Sequence, residues 1–79
     1  MPTAQQITAN AIDDLTVLYH HDLSDDAPVP TYQGSLAPEF VFLLFAVEDR
    51  LCCRFTSSEI DTIRRNRDFY ALIEARMPQ

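Results

Sequence analysis

Ile7, Ala11, Leu15 and Leu18 recur at spacings of four, four and three, which draws one apolar stripe along a helix. The spacing predicts a first helix over residues 4–21. Thr3 or Thr8 is placed to cap its start, and His20 and His21 stand where cations suit the end of a helix dipole. Between 22 and 35 the pattern breaks. Asp22, Ser24, Asp25, Asp26, Pro28, Pro30 and Gly34 favour turns, while Leu23, Ala27, Val29 and Tyr32 are spaced to pin a long loop onto a core. A second helix is predicted over 37–52, with Pro38 and Glu39 in its first turn. Phe40 to Val47 is apolar on every face. One stripe suffices to bury a helix, so Phe42 or Phe45 must face something besides the core. Thr56-Ser57-Ser58-Glu59 reads as a cap before a short helix, Ser58 to Ile63. Asn66 reads as the cap of a final helix, Arg67 to Met77, with Phe69, Leu72, Ile73 and Arg76 on one side and Pro78 ending it. The expected fold class is all-α: one domain over residues 1–79, a four-helix bundle of three longer helices and one short one, with a long loop after the first.

Composition agrees with a folded chain. Of its 79 residues 47% are apolar and 23% charged, too apolar for disorder. A single Gly argues against a hairpin-rich β-fold and against a phosphate-cradling glycine loop. The longest apolar run, Phe40 to Val47, is far short of a bilayer span, and the N-terminus shows neither the basic nor the apolar region of a secretory signal. A reducing, cytoplasmic setting is the expectation.

Charge is unevenly distributed. All six basic residues are Arg and none precedes Arg50, so residues 1–49 carry −8, the remainder +2, and the whole −6. An acidic first half repels nucleic acid and attracts a basic partner surface, or serves only as a solvated face. Arg64, Arg65 and Arg67 are expected to pair with acids of the first half rather than to hold a phosphate.

Little here suggests catalysis, and the chain is expected not to be an enzyme. His20 and His21 with Asp22, Asp25 and Asp26 make a poor metal site, since adjacent helical side chains diverge by about 100°. Cys52-Cys53 lacks CxxC spacing, and one thiol is expected in the core and one near the surface. Asp25-Asp26 has nothing to fix the separation that paired-carboxylate catalysis needs.

The order of elements, with the long loop between the first and second helices, resembles the acyl carrier protein family, and specific residues carry the likeness. Residues 43–51, LLFAVEDRL, look like the ending of that family's second helix. Phe55 followed by Thr56-Ser57-Ser58-Glu59-Ile60 is similar to the start of its third. Ile63, Asp68-Phe69 and Ile73 are similar to its I-x-T-V-x-D-L-x-x-x-I closing pattern. The resemblance covers about residues 4–77. It implies partner enzymes of fatty-acid, polyketide or related lipid synthesis, whose basic patches dock on the second helix; Glu39, Phe42, Phe45, Glu48 and Asp49 are the corresponding face. It also implies 4′-phosphopantetheine on a Ser that opens the second helix in an L-G-x-D-S-L motif, where the dipole favours a phosphodiester. The sequence departs from the motif there: it reads Gly34-Ser35-Leu36-Ala37-Pro38. Counting from Gly34 or back from Glu48-Asp49 and Leu51 puts Ala37 in the serine slot, and a methyl group cannot accept the arm. The leading expectation is a carrier-like protein without cofactor that acts by docking. Alternatives are a working carrier modified on Ser35, an Ala37 that has replaced a serine, and a helical interaction or homodimerisation module unrelated to acyl transfer. Ser35 is otherwise expected as an N-terminal cap near Pro38.

Overall fold

A computed structural model describes residues 2–18 and 20–77. The chain runs through α1 (Ala4–Leu15), a long connection carrying a hairpin of β1 (Thr31–Tyr32) and β2 (Ser35–Leu36), then α2 (Pro38–Leu51), α3 (Ser57–Asp61) and α4 (Asn66–Arg76). The described residues are mostly helical, with the four helices expected and one small antiparallel sheet that an all-α reading omits. Gln33 and Gly34 make that sheet possible. Both take positive φ, 52° and 83°, the left-handed pair that a two-residue hairpin turn requires. Thr31 then pairs with Leu36, and Tyr32 with Ser35.

Thr3 caps α1. Its Oγ1 accepts the Gln6 N–H at 3.1 Å, and Gln6 Oε1 accepts the Thr3 N–H at 2.8 Å, a reciprocal box that satisfies two otherwise orphaned donors. Thr8 is buried inside the helix and donates its hydroxyl to the Ala4 carbonyl. The helix stops at Leu15, not at residue 21. Thr16 turns left-handed, with its N–H on the Asp13 carbonyl, and Leu18 is left-handed as well. Two β-branched residues, Thr16 and Val17, follow Leu15 and offer little helix propensity. Leu18 still packs against the core, but from the loop. His20 and His21 therefore do not end a helix. Tyr19, within the expected first helix, and Pro78, expected to end the last, lie outside the described residues.

The connection between α1 and α2 is sewn to the α3–α4 junction. The Val29 N–H donates to the Arg64 carbonyl (3.1 Å), the Asn66 N–H to Ala27 (3.0 Å) and the Arg67 N–H to Asp25 (3.0 Å). Asn66 does not cap α4 as its sequence position suggests. It is the first helical residue, and its side chain is turned into the loop. Its Nδ2 donates to the carbonyls of Asp22 (2.6 Å) and Ser24 (2.9 Å), which leaves Oδ1 to accept from His21 Nε2 (2.9 Å). Asp68 supplies the cap instead, its Oδ2 accepting the N–H groups of Arg64 and Arg65. Those two hydrogen bonds hold its carboxyl below the usual range. Val29 is buried and Leu23 packs on the core, as the loop pattern predicts, but Tyr32 is 61% exposed and pins nothing.

α1, α2 and α4 pack pairwise around the core. Phe69 of α4 lies at its centre, edge-on to Phe40 of α2 (5.1 Å between centroids) and to Phe55 of the α2–α3 connection (6.3 Å). Thr56 caps α3 through a second reciprocal box with Glu59. Glu59 also receives Arg76 Nη2 at 2.6 Å, and the Arg76 guanidinium lies 5.2 Å from the Phe55 ring centroid. The Arg76 hydrogen bond, helped by the Thr56 N–H, lowers the Glu59 carboxyl to about 2. A depressed folded-state pKa stabilises above the unfolded value near 4.5 and loses that stabilisation as pH falls toward 2. Thermal melts between pH 6 and pH 3 should therefore fall more steeply for the wild type than for Glu59→Gln, and the gap between the two proteins should narrow on acidification. Of the three arginines expected to pair with acids of the first half, Arg67 does so with Asp26, whereas Arg65 Nη1 donates to the Asp26 backbone carbonyl and Arg64 Nη1 to the carbonyls of Asp61 and Ile63 in its own half; Arg50 pairs with Asp14.

Candidate docking face

α2 is the best-placed element for recognition because its two sides differ. At 100° per residue, Phe40, Leu43, Leu44 and Val47 share one arc and are buried. Pro38, Phe42, Phe45 and Asp49 share the opposite arc and are exposed, and Cys52 continues it at the C-cap. Phe42 is 59% and Phe45 53% exposed, so the long loop does not fold over these rings. Glu39 is exposed beside them. The face thus has two aromatic rings in its middle and one carboxylate toward each end.

Glu48 does not belong to that face. It is only 7% exposed, and its Oε2 accepts the Phe55 N–H at 2.6 Å. The α2–α3 connection turns across it, with the Cys53 N–H on the Glu48 carbonyl, so the carboxylate closes a turn instead of meeting a partner. The corrected set is Glu39, Phe42, Phe45 and Asp49.

An open groove of ≈ 640 Å³ lies at the C-terminal end of α2, bounded by Phe45, Glu48, Asp49, Cys52, Cys53 and Arg54. Cys52 is exposed and Cys53 half-buried, and both are free thiols. Burial pushes the Cys53 thiol above its ordinary value, which disfavours the nucleophilic thiolate.

The N-terminal end of α2 is built from backbone. Ala37 is the N-cap; its carbonyl accepts from Phe40 and Val41, and its own N–H donates to Pro30. No side chain caps this end. Ser35 stands in β2, exposed and paired in register with Tyr32, two residues ahead of the N-cap, so it is not the cap its spacing from Pro38 suggests. It borders a second groove of ≈ 460 Å³ whose other walls include Leu36, Val41, Ile60, Ile63 and Arg64. Arg64 is committed there to the Asp61 and Ile63 carbonyls. Among the described residues no group of three or more His, Cys, Asp or Glu is arranged to hold a metal ion.

Two features escape a reading by element. Asn66 looks like a cap because polar residues before a helix usually are caps, and only the fold shows its amide reaching back to residues 21–24. Pro38 and Cys52 extend the aromatic stripe, and the 4-3-4-3 spacing of 38, 42, 45, 49 and 52 is the sequence signal that marks them.

Among the described residues these observations define a mostly helical protein of four helices, with Phe42 and Phe45 exposed along one side of α2 and Tyr32 exposed on the hairpin. No family model, curated protein or solved structure matches the chain. Among the described residues no helix is long and apolar enough to cross a membrane.

Proposed function

We propose that this chain is a carrier-like docking protein without a prosthetic arm. On this reading it binds enzymes of fatty-acid, polyketide or related lipid synthesis through α2 and catalyses nothing itself. The observation that carries the reading is the joint placement of Ala37 at the opening of α2 and of Phe42, Phe45, Glu39 and Asp49 on its outer side. The element order supports it: a helix, a long connection, a longer helix, a one-turn helix and a last helix are the layout expected from the acyl carrier resemblance. On that resemblance the partners present basic patches, which the carboxylates of Glu39 and Asp49 flanking the two rings would meet. Free thiols suit a reducing, cytoplasmic setting.

The competing reading is a working carrier modified on Ser35, whose hydroxyl-bearing residue is exposed near the start of α2. Intact mass after incubation with a broad phosphopantetheinyl transferase and coenzyme A separates them. The expected result is an unchanged mass. A phosphopantetheine adduct that disappears in Ser35→Ala overturns the armless reading. For docking, a ketosynthase or acyltransferase with a basic rim should bind the wild type and lose at least about tenfold in affinity toward Phe42→Glu, as removal of a central aromatic anchor predicts.

A further inference from the structure

The two thiols of the chain, Cys52 and Cys53, have no chemical role in the proposed function. On an extended strand, successive side chains point to opposite sides. Here the chain does not run extended. Cys52 closes α2 in the left-handed region, φ 53° and ψ 44°, and the connection turns there. Both cysteines then border one groove, together with Phe45, Glu48, Asp49 and Arg54. The backbone holds the pair in place. The Cys52 N–H donates to the Asp49 carbonyl at 3.3 Å, and the Cys53 N–H to the Glu48 carbonyl at 3.1 Å. The exposed Cys52 thiol makes one weak contact, with the Asp49 carbonyl at 3.8 Å, and gives it up at little cost.

We propose that Cys52 and Cys53 form a bidentate dithiol site for a neutral, monosubstituted trivalent arsenical, with Phe45 as the wall against its organic substituent. Three observations select this class of ligand. First, the site offers two sulfurs and stops there. Among the described residues no third His, Cys, Asp or Glu joins them in a metal-holding group, and the Glu48 carboxylate already accepts the Phe55 N–H. A structural zinc centre, which needs four ligands, is left short. An arsenic atom that already carries one carbon substituent is completed by two thiols. Second, the groove sets Glu48 and Asp49 against a single Arg54, in a chain of net charge −6. That field disfavours anionic thiol reagents and leaves a neutral ligand unopposed. Third, the half-exposed Phe45 ring borders the same groove, where an aryl group can rest on it.

The condensation needs no oxidant. Each thiol gives up its proton, two arsenic–sulfur bonds form, the bonds from arsenic to oxygen break, and the oxygen leaves as water. Arsenic stays trivalent and neither sulfur is oxidised. Burial of Cys53, which outweighs the nearby Arg76, keeps its thiol protonated, and the condensation consumes thiols. The first arsenic–sulfur bond tethers the ligand beside the second thiol, so ring closure is intramolecular.

The site stands apart from the docking reading, and phenylarsine oxide is its probe. The full chain, reduced and freed of reductant, is titrated with it and its intact mass taken. The expected product carries one phenylarsenic group per chain, has both thiols blocked to iodoacetamide, resists excess glutathione and is reversed by 2,3-dimercaptopropanol. Cys52→Ser and Cys53→Ser, each checked for wild-type circular dichroism, should lose at least about a hundredfold in affinity, because a chelate becomes a single bond. Cys52 is exposed, so its variant decides the matter should Cys53→Ser unfold. Phe45→Ala should bind phenylarsine oxide about threefold more weakly and methylarsonous acid as the wild type does. A second phenylarsenic group per chain, undiminished affinity in Cys52→Ser, or an adduct displaced by glutathione reduces the pair to two independent thiols and overturns the proposal. So does an unmodified mass. No difference between the two arsenicals on Phe45→Ala overturns the wall assigned to Phe45. Arsenical binding without enzyme docking removes the proposed function and leaves this site standing.

Discussion

Phe69→Ala is expected to lower stability by about 3–5 kcal/mol, the usual cost of emptying a buried phenylalanine site. The ring is fully buried and is shared by α2, the α2–α3 connection and α4, through its edge contacts with Phe40 and Phe55. Its removal cannot be repaired by collapse of one helix, because three segments converge on it. A chain of this size holds about 4–12 kcal/mol in total, so the variant should be largely unfolded or close to its midpoint at 37 °C. Phe42→Ala, equally large in chemistry, should change stability by no more than about 0.5 kcal/mol, because its ring already stands in water. Urea titrations of the two variants at low protein concentration make the comparison. Equal losses would mean that Phe42 is a core residue and that the outer side of α2 is misassigned.

Asn66→Ala is expected to cost about 2–4 kcal/mol, more than any exposed polar residue in the chain. Asn66 is 1% exposed and meets three partners at once, two carbonyls and the His21 ring. Truncation strands those partners in a part-buried site, where lost hydration is not restored. Asn66→Asp is an informative companion. It preserves shape but replaces the two-donor amide with an acceptor facing two carbonyls, so it should be no better than alanine at neutral pH. Hydrogen exchange should show lost protection of the Val29 N–H in both variants before α1 is affected.

Much of the fold was legible because the strongest signals are local. Thr3 with Gln6 and Thr56 with Glu59 are reciprocal boxes visible as residue types three apart. Pro38 marks the first turn of α2, and the all-round apolar run in that helix announces a surplus that appears as exposed Phe42 and Phe45. What failed was non-local. The Leu15 to Leu18 step keeps helical period, yet the chain leaves the helix between them and Leu18 reaches the core from a left-handed backbone. Glu48 carries the charge of a surface residue, and only the turn at Phe55 reveals that its carboxylate is spoken for. A lone Gly argues against sheet, but one Gly after a Gln able to turn left-handed is enough for one hairpin. In the candidate site the two rings, Glu39 and Asp49 could be named from the sequence. The loss of Glu48 from it and the addition of Pro38 and Cys52 required knowing which way α2 is rolled.

The seam between the first connection and the α3–α4 junction also bears on how the protein is made. Asp22, Leu23 and Ser24 each offer a carbonyl to side chains 42 to 47 positions later, those of Asn66 and Tyr70. While the ribosome has delivered only the first two helices, that stretch can be held from α1 by Gln5 Nε2, which donates to the Leu23 carbonyl, but the Asp22 and Ser24 carbonyls stay hydrated until Asn66 is available. The first connection therefore completes its bonds only after the last helix is made, and closing so wide a loop carries an entropy cost that those bonds must offset.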